Sequence, residues 1–132
     1  MERWLARHSG LAYALLRLIA GSLLACHGAQ KLFGALGGKQ VPLGSLMGLG
    51  GVIEFFGGLL VAVGLFAGTA AFLCSGMMAV AYFMAHASKG FWPIENHGEL
   101  AVAYCFVFLF IATRGSGPAS LEALLGRKTL RL

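Results

Sequence analysis

The chain has 132 residues, 58% of them hydrophobic and 11% charged, with a mean hydropathy of +0.80. That is too little polar surface to cover a globule in water and enough apolar length for several bilayer crossings, which marks an integral membrane protein. The net charge of +5 rests largely on Arg3, Arg7, Arg114, Arg127, Lys128 and Arg131 near the termini, a distribution suited to orientation in a membrane and contact with anionic lipid. No aromatic-basic surface or recognition helix points to nucleic acid.

Residues 1–9, MERWLARHS, read as a short amphipathic lead-in, with Trp4 suited to the interface and Arg3 and Arg7 to headgroups. The first crossing is expected from about Gly10 to Phe33 and carries Arg17, His27, Gln30 and Lys31. An arginine in hydrocarbon costs about 2.5–3.5 kcal/mol on insertion scales, so this helix must have protein partners. At ~3.6 residues per turn Arg17, Gly21, Leu24, Gly28 and Lys31 share one stripe with His27 beside its end, and the two glycines let another backbone approach there. The run Leu23-Leu24-Ala25-Cys26 behind a basic start resembles a lipoprotein cleavage site, but Arg17 interrupts the apolar region and more membrane segment follows. Residues 1–30 are therefore expected in the mature protein.

Residues 34–44, GALGGKQVPLG, read as a loop. The second crossing is expected from about Ser45 to Phe66. Its one charge is Glu54, set among Gly50, Gly51, Gly57 and Gly58, which suggests an acid pointing into a tight helix interface. Ala67-Gly68-Thr69 reads as a hairpin turn. The third crossing, about Ala70 to Ala87, is uncharged and ends on His86, whose face also carries Ser75, Met78 and Tyr82. Residues 88–96, SKGFWPIEN, form a polar and aromatic loop. The fourth crossing, about His97 to Thr113, has Glu99 in its first turn, and a short amphipathic tail follows over residues 118–126. No internal repeat is evident. Short connections favour an all-α, up-and-down, membrane-embedded four-helix bundle as a single domain. The Lys and Arg count places both termini in the cytoplasm, with Lys31, Lys39 and Lys89 opposite.

Cys26, Cys74 and Cys105 are odd in number, lack CxxC spacing and lie in three different apolar segments, so neither a disulfide framework nor a zinc site is expected. The ionisable groups carry the functional signal. With this topology His27, Lys31, Glu54, His86 and Glu99 come from four helices into the outer half of one small bundle, with Tyr82 on the face of His86. Arg17 lies deeper, and a structural ion pair with Glu54 is expected because each would otherwise be an uncompensated charge in hydrocarbon. Singly, each group has a plainer role: Lys31 can snorkel, the histidines can cap helix ends, and Glu99 suits a helix N-terminus. Together, in so apolar a chain, they point to an intramembrane polar pocket.

The pattern Leu16-Arg17, Gly21, His27-Gly28, Lys31-Leu32, then Glu54 with Gly57-Gly58 and Gly64-Leu65, then His86, Gly98-Glu99 and a closing Gly115-Ser-Gly-Pro resembles the DoxX family of small bacterial membrane proteins. The resemblance spans about residues 10–121. It implies a multi-pass protein of the bacterial inner membrane associated with oxidoreductase systems, including membrane subunits that pass electrons from sulfur compounds to quinone.

Three functions compete. The first is a membrane subunit that binds a quinone or similar redox molecule, with Lys31, His27 and His86 as donors, Glu54 and Glu99 as proton relays, and Tyr82, Phe55, Phe56 and Trp92 as walls. The chain has no cofactor motif, so a protein partner must supply the flavin, haem or thiol reductant; His27 and His86 as paired haem ligands are a minor variant. The second is a scaffold or assembly partner, alone or as a homo-oligomer, whose polar network serves only packing. The third, a small transporter or proton path, lacks an inverted repeat and broken helices.

Overall fold

The computed structural model describes residues 1–126. Arg127, Lys128 and Arg131 of the charge count lie outside the described residues. Among the described residues the secondary structure is wholly helical: α1 (Glu2–Arg7), α2 (Ser9–Phe33), α3 (Leu46–Val63), α4 (Ala67–Ala85), α5 (Pro93–Asn96), α6 (Glu99–Arg114) and α7 (Leu121–Leu124). A single turn of 3₁₀ helix, Ala87–Lys89, follows α4. Three helical stretches, Ser9–Phe33, Leu46–Val63 and Ala67–Lys89, are long and apolar enough to cross a membrane. The 16-residue α6 is shorter.

Each boundary has a local cause. Gly34 adopts φ +64 and closes α2 with a left-handed cap. Ser45 accepts a hydrogen bond from the Gly48 amide and starts α3. Gly64, at φ +72, ends α3, so the hairpin turn falls on residues 64–66 and α4 begins at Ala67. The expected turn at Ala67-Gly68-Thr69 is thus displaced by three residues: Gly64 and Phe66 take the left-handed backbone, and Gly68 lies inside α4 where it packs against Ala112 O. Pro93 sits in the first turn of α5, where its missing N–H costs nothing.

Small residues set the packing. An added Cβ on Gly21 would stand 2.6 Å from Gly58 O, one on Gly58 would stand 2.6 Å from Gly21 O, and one on Gly28 would stand 2.7 Å from Phe55 Cα. The backbones of α2 and α3 therefore touch directly and run antiparallel, since low numbers on one meet high numbers on the other. The same logic pairs α3 with α4 through Gly57 against Cys74 Sγ, and α4 with α6 through Gly98 against the Tyr82 ring and Gly68 against Ala112 O. One buried cluster joins the four, including Leu24 from α2, Val61 from α3, Ala71 and Cys74 from α4, and Phe108 and Ile111 from α6. The expected stripe on α2 is the packing face: Arg17, Gly21, Leu24 and Gly28 are all buried.

Antiparallel packing gives the molecule two ends. The Arg17 end gathers the start of α2, the α3–α4 turn and the chain after α6. The Lys31 end gathers the end of α2, the start of α3, the end of α4 and α5.

Candidate functional site

Three polar assemblies interrupt the apolar interior. At the Arg17 end, the chain after α6 folds back as a strap over residues 115–125. Arg17, 2% exposed, donates from Nη1 to the Ser116 carbonyl and from Nη2 to the Ala119 carbonyl at 2.7 Å. The strap and its root at Arg114 are held by further contacts. Tyr13 donates to Gly115 O at 2.5 Å, and the Arg114 guanidinium stacks 4.6 Å above the Tyr13 ring. Ser116 Oγ accepts from the Ala67 amide, and the Glu122 carboxylate accepts from the Phe66 amide at 2.9 Å. Ala119 holds a left-handed φ of +51, which a non-glycine residue adopts only when its surroundings impose it.

These contacts correct the expected pairing of Arg17 with Glu54. Arg17 lies opposite Gly64 at the far end of the α2–α3 pair, where an added Cβ would stand 2.9 Å from its Cζ, ten residues along α3 from Glu54. Carbonyl oxygens meet both terminal nitrogens of the guanidinium in place of a carboxylate, while Arg17 Nε is buried without a partner among the described residues.

The acid has another partner. Lys31 Nζ donates to Glu54 Oε1 at 2.7 Å. Glu54 is 3% exposed and Lys31 28%, so the ion pair spans from the interior toward the surface. Glu54 Oε2 is buried without a hydrogen-bond partner among the described residues. The acid belongs to a π-helical turn, Ile53–Gly57, the wide-turn irregularity that often accompanies functional sites. Aromatic rings flank the pair: Phe33, two residues past Lys31, meets Phe55 edge-to-face at 5.2 Å, and Phe55 meets Phe56 in the same way. One turn below Lys31, His27 is half-buried and meets the Tyr104 ring at 6.4 Å.

The third assembly is built on Asn96, which is fully buried. Its Nδ2 donates to Tyr82 Oη at 3.0 Å and to Gly90 O at 2.9 Å, and its Oδ1 accepts from the Gly98 amide at 2.9 Å. His86 Nδ1 lies 3.1 Å from Asn96 O, and the His86 ring stacks on Tyr82. Tyr82, Phe83, Phe91, Trp92 and Pro93 wall a groove of about 360 Å³ beside this network.

The expected site residues thus divide. Lys31 and Glu54 come together, with His27 one turn away. Tyr82 and His86 belong to the Asn96 network, a residue that carried no sequence signal beyond its loop position. Glu99 is exposed and its side chain makes no hydrogen bond or ion pair among the described residues. Cys26 faces outward, Cys105 is half-buried and Cys74 is buried, all three as free thiols.

Residues 12–87 match the DoxX family profile. An uncharacterized protein of Haemophilus influenzae is 38% identical over 116 residues, a match that covers 83% of this chain and 87% of the relative. No solved structure matches.

Proposed function

The chain belongs to the DoxX family of membrane proteins, and from that premise we propose that it is a multi-pass subunit of a bacterial inner-membrane oxidoreductase system that binds a quinone-like molecule beside Lys31 and Glu54. Four crossings, with α6 as the fourth, bring both termini to one side, and the Lys and Arg count favours the cytoplasm for that side. The observation that carries the reading is an ion pair on a buried acid with a spare acceptor: Lys31 holds Glu54 Oε1 while Oε2 has no donor among the described residues. A quinone carbonyl takes a hydrogen bond from the partly exposed Lys31 ammonium, and its ring packs against Phe33, Phe55 and Phe56, two of which are exposed where a ligand arrives from the bilayer. Glu54 then supplies or accepts the proton that accompanies reduction or oxidation of the head. Electrons come from a protein partner, because the chain has no cofactor motif of its own.

The test is quinone binding by the purified protein in nanodiscs. The double variant Lys31→Met with Glu54→Leu removes donor and acceptor without stranding either charge, so its melting midpoint stays near the wild type. Binding should fall by roughly tenfold or more, the equivalent of one charged hydrogen bond. Undiminished binding in a stable double variant would move the assignment to the scaffold reading, which the purely structural use of Arg17 favours.

A further inference from the structure

The groove beside the Asn96 network has features that the quinone reading does not use. Its walls are aromatic, and Phe83, Phe91 and Trp92 are all exposed. It lies where the apolar run of α4 ends in the 3₁₀ turn Ala87–Lys89, the level at which aromatic side chains meet the ester region of a bilayer. Tyr82, one of the lining residues, carries a hydroxyl. Tyr82 Oη already accepts a hydrogen bond from Asn96, and its own O–H has no acceptor among the described residues.

The rim carries both signs of charge. Lys89 adjoins Gly90, a lining residue, and the Glu95 Cβ lies 4.0 Å from where a Cβ on Gly90 would stand. Lys89 and Glu95 are exposed, and neither side chain makes a hydrogen bond or ion pair among the described residues. A cation and an anion on one rim that are not paired with each other match a headgroup that itself carries both signs.

We propose that this groove seats one ethanolamine phospholipid of the surrounding bilayer, its phosphate at Lys89, its ammonium at Glu95, an ester carbonyl on the Tyr82 hydroxyl and an acyl chain along Phe83, Phe91 and Trp92. The primary ammonium distinguishes it from its competitors. A glycerol headgroup with only negative charge is repelled by Glu95, and a choline headgroup has no N–H to donate to that carboxylate.

The experiment counts lipids that remain bound to the purified protein by native mass spectrometry, after exchange into equal mixtures of ethanolamine, glycerol and choline phospholipids with matched chains. Wild type should hold one ethanolamine lipid in roughly fivefold preference to either competitor, the scale of a single exposed ion pair. Glu95→Gln should bring the ethanolamine-to-glycerol ratio to about one, and Lys89→Gln should lower retention of both. Both residues are exposed, so melting should match wild type and a fold defect cannot mimic the result. Equal retention of the three classes by wild type, a ratio unchanged in Glu95→Gln, or a bound quinone in place of the lipid would each overturn the proposal. Loss of quinone binding in Lys31 and Glu54 variants would leave these ratios untouched.

Discussion

Lys31 and Glu54 meet across α2 and α3 with 2.7 Å between Nζ and Oε1, yet the two partners are unequally placed: the carboxylate is 3% exposed and the lysine 28%. Removing the lysine strands a buried carboxylate, whereas removing the acid leaves a lysine whose long stem can reach the surface. Lys31→Met should therefore lower the melting midpoint by the equivalent of about 3–5 kcal/mol, and Glu54→Gln by clearly less. Adding Glu54→Leu to Lys31→Met should restore most of the loss. Thermal melting of all four proteins in one detergent checks this, and equal damage from the two single variants would contradict the asymmetry.

Arg17 fastens the strap by a planar fork that lysine cannot copy. Arg17→Lys should satisfy one carbonyl at most, at a cost of about 2–3 kcal/mol, the range for a hydrogen bond from a charged donor. Limited proteolysis within residues 115–125 should speed up in parallel. Wild-type digestion at those positions would show that the strap stays fastened without the fork.

Gly28 and Gly76 offer a matched comparison inside two apolar helices. A Cβ on Gly28 would run into the Phe55 backbone, while nothing lies within 4 Å of one on Gly76. Gly28→Ala should cost about 1–3 kcal/mol by forcing α2 and α3 apart, and Gly76→Ala should cost nothing. Melting of the pair reads the difference, and equal midpoints would remove the close approach as a source of stability.

Asn96→Ala should leave the Tyr82 hydroxyl and the Gly90 carbonyl each short of a donor, while the Gly98 amide keeps the Pro93 carbonyl at 3.1 Å. A loss of about 1–3 kcal/mol follows for each group left buried and unpaired, partly relieved where water enters. Thermal melting is the readout, and a midpoint equal to wild type would mean that water replaces Nδ2 at both.

With four crossings, α6 included, Arg3 and the exposed Leu124 fall on the same side of the membrane, and Lys39 on the other. In a protein whose three native cysteines are replaced by alanine, single cysteines at Arg3 and Leu124 should react with an impermeant reagent from one face and a cysteine at Lys39 from the opposite face. Labelling of the Arg3 and Leu124 positions from opposite faces would require an odd number of crossings.

Much of this arrangement is legible in residue spacing. The Arg17–Gly28 stripe and the glycines around Glu54 announce a close helix pair, because a charge inside the bilayer needs a neighbour and missing side-chain bulk leaves room for one. The partners of the charges are less legible. Lys31 reads equally well as a snorkelling residue, and only three-dimensional register brings it to Glu54. Arg17 is met by backbone carbonyls of residues 116 and 119, and carbonyls carry no sequence signature. The closing Gly115-Ser-Gly-Pro reads as a helix stop, although it also turns the chain back over α2. A π turn has no residue code of its own, and Asn96 looks like any loop asparagine until its three partners are in place. Gly64 is the readable exception, a left-handed helix end whose signal outweighs the more polar Thr69.

The strap also orders the protein's assembly in time. Arg17 emerges from the ribosome about 100 residues before the carbonyls that bind it. At roughly 5–20 residues per second, synthesis leaves the guanidinium without its final acceptors for several seconds or more. During that interval α2 must keep its charge in water, against headgroups or within the insertion machinery, so its depth in the bilayer is settled last. A chain cut after Arg114 would leave that first helix permanently unfinished, and quality-control proteases would meet a membrane segment with an exposed cation at its core.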